Sequence, residues 1–171
     1  MSAIERALKE INDLQQNPDI NNCFSVDFWD DNSDNPDPLH WKVTLIPPEG
    51  TFYEGGFFQL EVKLPNNYPN SKPNVKFLTK IYHCNVGKDN GAICLNTFDN
   101  WKNTYTMDDV LNHIIILLYK QNPDSPMNSE MRRLYKDHLS DFEKNAREWV
   151  RIYANADEFD NESKQYARIK E

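Results

Sequence analysis

No stretch of this 171-residue sequence approaches the roughly 20 apolar residues that a helix needs to cross a membrane. The most apolar segment, residues 110–119, is interrupted by Asn112 and His113. The first residues also lack the apolar core of a secretory signal peptide. We therefore expect a soluble protein without a membrane partner.

Basic residues are too few for a protein that binds nucleic acid. The chain has 27 acidic residues against 19 Lys and Arg, and its formal net charge is −8. Proteins that bind nucleic acid neutralise its phosphates with clustered Lys and Arg. The charge balance therefore disfavours nucleic acid and favours a partner with a basic surface.

Cysteines are also few: the chain has three, an odd number, so at least one must stay unpaired. A metal site built from His83, Cys84 and Cys94 would lack a fourth ligand and a Cys-x-x-Cys pair. A chain of this length buries about 70% of its unfolded surface in one core, so neither a metal nor a disulfide is needed. We expect no metal, no organic cofactor and a location in the reducing cytoplasm or nucleus.

Hydrophobic periodicity predicts one helix and then four strands. The capping-box pattern Ser2-x-x-Glu5 opens a helix that Asn17-Pro18 stops. Apolar residues then recur at every second position in three strands, and residues 75–78 form a shorter fourth strand. The strands are Phe24 to Phe28, Trp41 to Leu45, Phe58 to Leu64 and Val75 to Leu78. An antiparallel four-stranded meander is the simplest arrangement.

About thirty residues after Phe77 have no sustained period, which is typical of a functional loop. Three helices are predicted to follow. The first begins after the capping box Thr106-x-x-Asp109 and is nearly all buried, the second follows Asn128, and the third follows a capping box at Ser140-x-x-Glu143. The pattern predicts an α/β protein of the α+β type.

Cys94 lies inside the irregular stretch, and its neighbours decide how it is interpreted. Alone, a cysteine between two apolar residues is most often an inert buried side chain. Here Tyr82-His83-Cys84-Asn85-Val86 precedes Gly91-Ala92-Ile93-Cys94-Leu95-Asn96, with Trp101 further on. This arrangement resembles the active-site segment of ubiquitin-conjugating enzymes, in which a His-Pro-Asn tripeptide precedes Gly-x-Ile-Cys-Leu.

Five further motifs match that family in the right order, and together they are far more specific than any one of them. They are Ile11-Asn12-Asp13-Leu14, Tyr53-Glu54-Gly55-Gly56-x-Phe58, Leu64-Pro65-x-x-Tyr68-Pro69, Asn122-Pro123-Asp124-Ser125-Pro126-Met127, and Ala146-Arg147-Glu148-Trp149. The resemblance implies a catalytic domain of the ubiquitin-conjugating (UBC) fold at residues 1–155. Residues 156–171 are predicted to be an acidic C-terminal tail, frayed or in a short solvated helix.

The resemblance implies acyl transfer through a thioester. An activating enzyme passes ubiquitin, or a ubiquitin-like protein, to the Cys94 sulfur, and a substrate lysine then attacks the thioester. The implied partners are the modifier, the activating enzyme, a RING- or HECT-type ligase and the substrate lysine. The first helix with the loops at residues 65–73 and 101–104 is predicted to meet the activating enzyme and the ligase. We expect a monomer.

Three further site residues follow from the family motifs. Asn85 matches the asparagine assigned to the tetrahedral oxyanion, although an asparagine in a tight turn also often binds backbone amides. Ser125 stands where the family positions the attacking lysine, and Asp124 beside it adds negative potential. Both can instead be ordinary turn residues. His83 is predicted to brace the loop through backbone hydrogen bonds.

Several departures from the family pattern bear on partners. Cys84 replaces the usual proline and places a second thiol near the nucleophile, so a Cys84–Cys94 disulfide is one hypothesis. Asn96 replaces the Asp common in ubiquitin-specific members and resembles the Asn of conjugating enzymes for the ubiquitin-like protein NEDD8. Asn70 and residues 102–104 are polar where the family often has apolar ligase contacts, which predicts weak binding of common ligases.

The cysteine and its neighbours also leave two alternatives from other functional classes. A papain-like protease would pair Cys94 with a histidine such as His113, which falls on the buried pattern of a helix. A non-catalytic ubiquitin-binding scaffold is the more serious alternative, because the altered loops fit a chain that loads its modifier poorly. Cys94 and Asn85 argue against it.

Overall fold

The computed structural model describes residues 1–17, 23–30 and 33–160. Helix α1 spans Ala3–Gln16 and begins with the predicted capping box, because Ser2 Oγ accepts the Glu5 N–H and the Glu5 carboxylate accepts the Ser2 N–H. Its apolar stripe packs on the sheet and on the helix at residues 107–119. None of the described helices is long and apolar enough to cross a membrane.

The sheet is the predicted four-stranded meander. Strands β1 (Phe24–Phe28), β2 (His40–Leu45), β3 (Phe58–Lys63) and β4 (Asn74–Phe77) pair antiparallel in sequence order. Alternate residues of β2 (Trp41, Val43 and Leu45) are fully buried, so one face of the sheet forms the core. Strand β4 begins and ends one residue earlier than predicted.

In the part of the chain that the structure describes, three longer helices follow the sheet: α2 (Met107–Tyr119), α3 (Ser129–Asp137) and α4 (Leu139–Tyr153). The predicted cap at Ser140 is wrong. The chain turns at His138 directly after α3, so Ser140 lies inside the first turn of α4, which has no side-chain cap. Helix α2 is also less buried than predicted, because Ile116 and Tyr119 are 58% and 59% exposed on its outer side.

The beginning of the predicted tail is ordered. Residues 156–160 form a helical turn in which Asn155 Oδ1 accepts the Glu158 N–H at 2.9 Å. The Phe159 ring lies 5.9 Å from that of Phe57, just before β3. The acidic turn therefore contacts the domain, whereas the rest of the tail, residues 161–171, lies outside the described residues. Residues 31–32, between the first two strands, also lie outside them.

A buried carboxylate joins α1 to the loop after β3 and to the start of α2. Glu10 is 6% exposed and pairs with Arg6. Its two oxygens accept the Tyr68 hydroxyl at 2.9 Å, and one also accepts the Met107 N–H at 2.7 Å. Because Met107 is the first residue of α2, the carboxylate also lies at the positive end of that helix dipole. Glu10 thus connects α1, the loop after β3 and α2.

We expect Glu10→Ala to lower the free energy of unfolding by about 3 kcal/mol, because it leaves buried donors without an acceptor. Urea unfolding followed by circular dichroism measures this change. Asp13→Ala is the matched control: it breaks the exposed Lys9–Asp13 pair on the same helix and should cost less than about 1 kcal/mol. Equal losses in the two variants would contradict a structural role for Glu10.

Candidate active site

A short hairpin places Cys94 directly opposite Asn85. The Cys94 N–H donates to the Asn85 carbonyl at 2.8 Å, and Val86 forms an antiparallel bridge with Ile93. Side chains directly opposite each other in an antiparallel pair lie on the same face. Backbone pairing therefore brings together Cys94 and Asn85, the two main candidate site residues from the sequence.

Gly91 turns the hairpin and can be no other residue without rearrangement. Its φ is +67°, and a Cβ built there would lie 1.8 Å from the Phe77 carbonyl oxygen. The close approach lets the Phe77 N–H donate to the Gly91 carbonyl at 2.9 Å. The glycine of the motif therefore ties the hairpin to the end of β4.

The side-chain amide of Asn85 binds the loop after α2. Its Nδ2 donates to the carbonyls of Asn122 at 2.7 Å and Ser125 at 2.9 Å, and its Oδ1 accepts the Asn122 N–H at 2.8 Å. The residue is 1% exposed. Both amide protons thus have acceptors in this structure. The role of Asn85 as a backbone brace is confirmed, whereas its role as an oxyanion donor stays a prediction.

Ser125 is connected to both sides of the hairpin. Its carbonyl accepts from Asn85, and its hydroxyl accepts from Asn96 Nδ2 at 2.9 Å. Asn96 follows Cys94 by two residues, so this bond connects Ser125 to the chain segment that carries Cys94. Asp124 is exposed beside it, and its backbone N–H donates to Asn122 Oδ1 at 3.1 Å.

His83 is a neutral structural residue. Its Nδ1 accepts the Asn85 N–H at 3.0 Å, so the proton is on Nε2, which donates to the Leu117 carbonyl at 2.8 Å. Burial lowers the pKa of His83 from 6.5 to about 4. Both ring nitrogens are engaged with the protein, so the alternative metal site at His83, Cys84 and Cys94 is wrong.

The three cysteines are unpaired and differ in environment. Cys84 is 0% exposed, and burial raises its pKa to about 11. Burial also raises the pKa of Cys23. Cys94 is partly exposed. A buried, protonated thiol is a poor nucleophile, which disfavours the hypothesis of a Cys84–Cys94 disulfide.

The loops predicted to bind partners form one surface. Trp101 Nε1 donates to the Pro69 carbonyl at 2.7 Å, and the ring contacts Tyr68, whose hydroxyl binds Glu10 of α1. Asn70 and residues 102–104 are exposed at its outer edge. The surface therefore includes α1 and both loops, and its exposed outer edge is polar.

Sequence reasoning missed two residues that hold the loop after α2. Gln121 is 3% exposed and accepts the Cys84 N–H at 2.8 Å. Arg132 Nε donates to the Pro123 carbonyl at 2.8 Å. Cys84 stands where the family usually has proline, so it has an additional backbone N–H that needs an acceptor. This departure from the family pattern could have pointed to a residue such as Gln121.

Comparisons with known proteins identify the family of the chain. The family model for ubiquitin-conjugating enzyme matches residues 3–150. The curated protein "Ubiquitin conjugating enzyme E2 B" of Dictyostelium discoideum is 37% identical over 154 residues, which are 90% of this chain and 99% of that protein.

Solved structures give the same result. A Plasmodium yoelii protein described as a candidate ubiquitin conjugating enzyme has a TM-score of 0.79 and 32% identity, with 90% of this chain and 96% of that chain covered. The conjugating domain of a Toxoplasma gondii ubiquitin conjugating enzyme has a TM-score of 0.76 and 31% identity, with 88% and 98% covered.

Fold, site and relatives together define an α/β transferase domain. The chain belongs to the ubiquitin-conjugating enzyme family, whose members work with ubiquitin, activating enzymes and ligases. The protease alternative is therefore wrong. His113 Nε2 lies 3.2 Å from Thr97 Oγ1 and its ring packs edge-on against Phe98, so it is engaged away from Cys94.

The depressed pKa of His83 makes stability depend on pH. Between pH 6.5 and pH 4 the unfolded chain protonates this histidine while the folded protein does not. The contribution of His83 to the free energy of unfolding is therefore complete above pH 6.5. It is lost as the pH decreases toward 4, by up to about 3 kcal/mol. We expect urea unfolding of His83→Gln to depend less steeply on pH over this range. The exposed His138→Gln should keep the wild-type slope, and an unchanged slope in His83→Gln would refute the assignment.

Proposed function

We propose that this chain accepts ubiquitin, or a ubiquitin-like protein, as a thioester on Cys94 and transfers it to a substrate lysine. The supporting observation is the pairing of a partly exposed Cys94 with Asn85 in the hairpin. Cys84, the neighbouring thiol, is fully buried and its pKa is raised. Cys94 is thus the thiol available at the position where the family carries its modifier.

The proposed reaction has two balanced steps. The Cys94 thiolate attacks the carbonyl of the modifier's thioester on the activating enzyme and expels that enzyme's thiolate. A neutral lysine amine then attacks the Cys94 thioester, forms the isopeptide bond and expels the Cys94 thiolate, while the amine proton passes to solvent or a nearby base. Sulfur suits both steps because it is a good nucleophile and a good leaving group.

Asn85 serves two roles in this proposal. It holds residues 122–125 in place in the ground state through its three hydrogen bonds. It donates to the oxyanion when the tetrahedral intermediate forms, which requires one Nδ2 proton to turn away from a carbonyl. An amide can perform this role because it donates a hydrogen bond without changing its charge.

Ser125 and Asp124 position the attacking lysine in this proposal. The hydrogen bond from Asn96, two residues after Cys94, holds the Ser125 hydroxyl. The hydroxyl can then accept from the incoming amine, and the exposed Asp124 carboxylate adds attraction for a cation. Asn96 thereby acts on lysine transfer through Ser125.

Ubiquitin is the modifier that family membership favours, and NEDD8 is the alternative that Asn96 favours. The surface of α1, residues 65–73 and residues 101–104 is proposed to meet the activating enzyme and a RING- or HECT-type ligase in turn. Its polar protrusions, Asn70 and residues 102–104, favour a ligase with a polar contact surface. We also propose that the protein is a monomer of the cytoplasm or nucleus.

The function is tested by incubating the protein with ATP and ubiquitin or NEDD8, each with its own activating enzyme. We expect an adduct with one modifier that is visible on a non-reducing gel and lost on adding thiol. Cys94→Ala should abolish it, because no acceptor remains, whereas Cys23→Ala should load like the wild type. An adduct that persists in Cys94→Ala would refute the assignment, and no adduct with either modifier would favour the binding scaffold.

The Asn96–Ser125 contact is tested by single-turnover discharge of the loaded enzyme to free lysine. Asn96→Ala and Ser125→Ala should each slow discharge by roughly 3- to 10-fold and leave loading unchanged, because the amine is less well oriented. The double variant should be no slower than the slower single variant, since both remove one hydrogen bond. Asn100→Ala, an exposed asparagine nearby, is the control. Additive effects would contradict a shared role.

A further inference from the structure

Cys84 has a backbone N–H at a position where related enzymes usually have proline, which has none. This N–H is in the protein interior, because the residue is 0% exposed. A buried N–H without an acceptor loses its hydrogen bond to water and gains nothing in return. The exchange of proline for cysteine therefore requires an acceptor from elsewhere in the chain.

Gln121 supplies this acceptor from the segment after α2. Its Oε1 accepts the Cys84 N–H at 2.8 Å, and its Nε2 donates to the Tyr53 hydroxyl oxygen at 2.7 Å. The Tyr53 hydroxyl donates onward to the Tyr82 carbonyl. Burial raises the pKa of Tyr53 well above its usual value, so the hydroxyl keeps its proton. Both ends of the Gln121 amide are thus engaged in a buried chain of hydrogen bonds.

The backbone around Gln121 is held as firmly as its side chain. Its own N–H donates to the Tyr135 hydroxyl at 3.1 Å. On the other side of the contact, the Cys84 carbonyl accepts the Met127 N–H at 2.7 Å. Cys84 is therefore bonded through both of its backbone polar atoms to residues 121–127.

The contact between Gln121 and Cys84 is next to the one that holds the catalytic loop. Asn85 follows Cys84 and binds Asn122, which follows Gln121. Residues 84–85 and 121–122 thus form two adjacent pairs of contacts between the hairpin that carries Cys94 and the loop that ends at Ser125. Residues 84 and 85 are joined by one peptide unit, as are residues 121 and 122. A displacement at the Cys84–Gln121 contact therefore also displaces the Asn85–Asn122 contact.

We propose that Gln121 is a positioning residue for lysine transfer, which fixes the loop at residues 122–125 relative to Cys94 through the backbone of Cys84. This inference rests on the proposed thioester function and extends it. Gln121 touches neither the modifier nor the lysine in this role. It is needed in this chain because Cys84 carries an N–H that proline would not.

A positioning role and a purely structural role differ in which step they affect. Loading requires an accessible Cys94, whereas lysine transfer also requires the Ser125 loop in register with the thioester. A displacement of about 1 Å at a reacting centre can cost up to about 100-fold in rate. Loss of Gln121 should therefore slow discharge to lysine and spare loading.

The first test replaces Gln121 by methionine, which has similar length and whose thioether sulfur is only a weak acceptor for an N–H. We expect Gln121→Met to load at the wild-type rate and discharge to free lysine about 10-fold more slowly in single turnover. Gln59→Met is the matched control. Gln59 is 2% exposed in β3, and its Oε1 has no hydrogen-bond partner among the described residues, so its loss should leave both rates unchanged.

The second test is a double-mutant cycle with Cys84→Pro. Cys84→Pro alone leaves Gln121 Oε1 without its donor, and Gln121→Met alone leaves the Cys84 N–H without its acceptor, so each should discharge slowly. The double variant removes both atoms, and we expect its discharge to recover to within about 3-fold of the wild type. Thermal unfolding of all four proteins should show the same non-additive pattern.

The outcomes separate this inference from the proposed function. Normal loading and discharge in Gln121→Met, or a double variant as slow as the product of the single effects, would overturn the positioning role while leaving the thioester function intact. A wild type that forms no thioester would overturn the function and the positioning role with it. If Gln121→Met does not fold, recovery of folding and discharge in the double variant still supports the pairing, and failure to recover refutes it.

Discussion

The site depends on one constraint: buried polar atoms in an irregular loop must find partners that the loop cannot supply. Residues 78–106 contain no strand of the sheet and only a three-residue 3₁₀ turn at Asn96–Phe98. Yet His83, Cys84 and Asn85 are each at most 1% exposed. An unpaired buried donor or acceptor costs about 1–3 kcal/mol. The backbone of the loop is held in one conformation because residues 117–127 provide carbonyls, a side-chain amide and N–H groups that bind its buried polar atoms.

Helix α2 connects this loop to the surface that is proposed to bind partners. At its N-terminus the Glu10 carboxylate accepts the Met107 N–H, where the helix dipole favours negative charge. Near its C-terminus the Leu117 carbonyl accepts from His83. Side chains from distant segments thus satisfy end groups that a helix cannot satisfy itself. The same helix fixes α1 at one end and the loop that carries the Cys94 hairpin at the other.

The fold was largely predictable because its signals are local. The capping boxes at Ser2 and Thr106 and the two-residue alternation in β2 depend on neighbours a few positions away, and the structure has them as predicted. The box at Ser140 failed because α3 ends at Asp137 and α4 starts at Leu139, so Ser140 lies inside α4 and cannot cap it. The sequence did not predict the exposed side of α2. Apolar residues lie around most of this helix, and their pattern does not show on which side no other helix or strand packs.

The sequence by itself determined which cysteine lies at the family's active-site position, since an ordered set of motifs identifies Cys94 without coordinates. Tertiary structure alone decided what the polar atoms around it bind. The contacts of Asn85 with Asn122 and of Cys84 with Gln121 each join residues 37 positions apart, across the loop and all of α2. Periodicity and motif spacing describe neighbours along the chain, whereas hydrogen-bond partners are chosen by proximity and direction after folding.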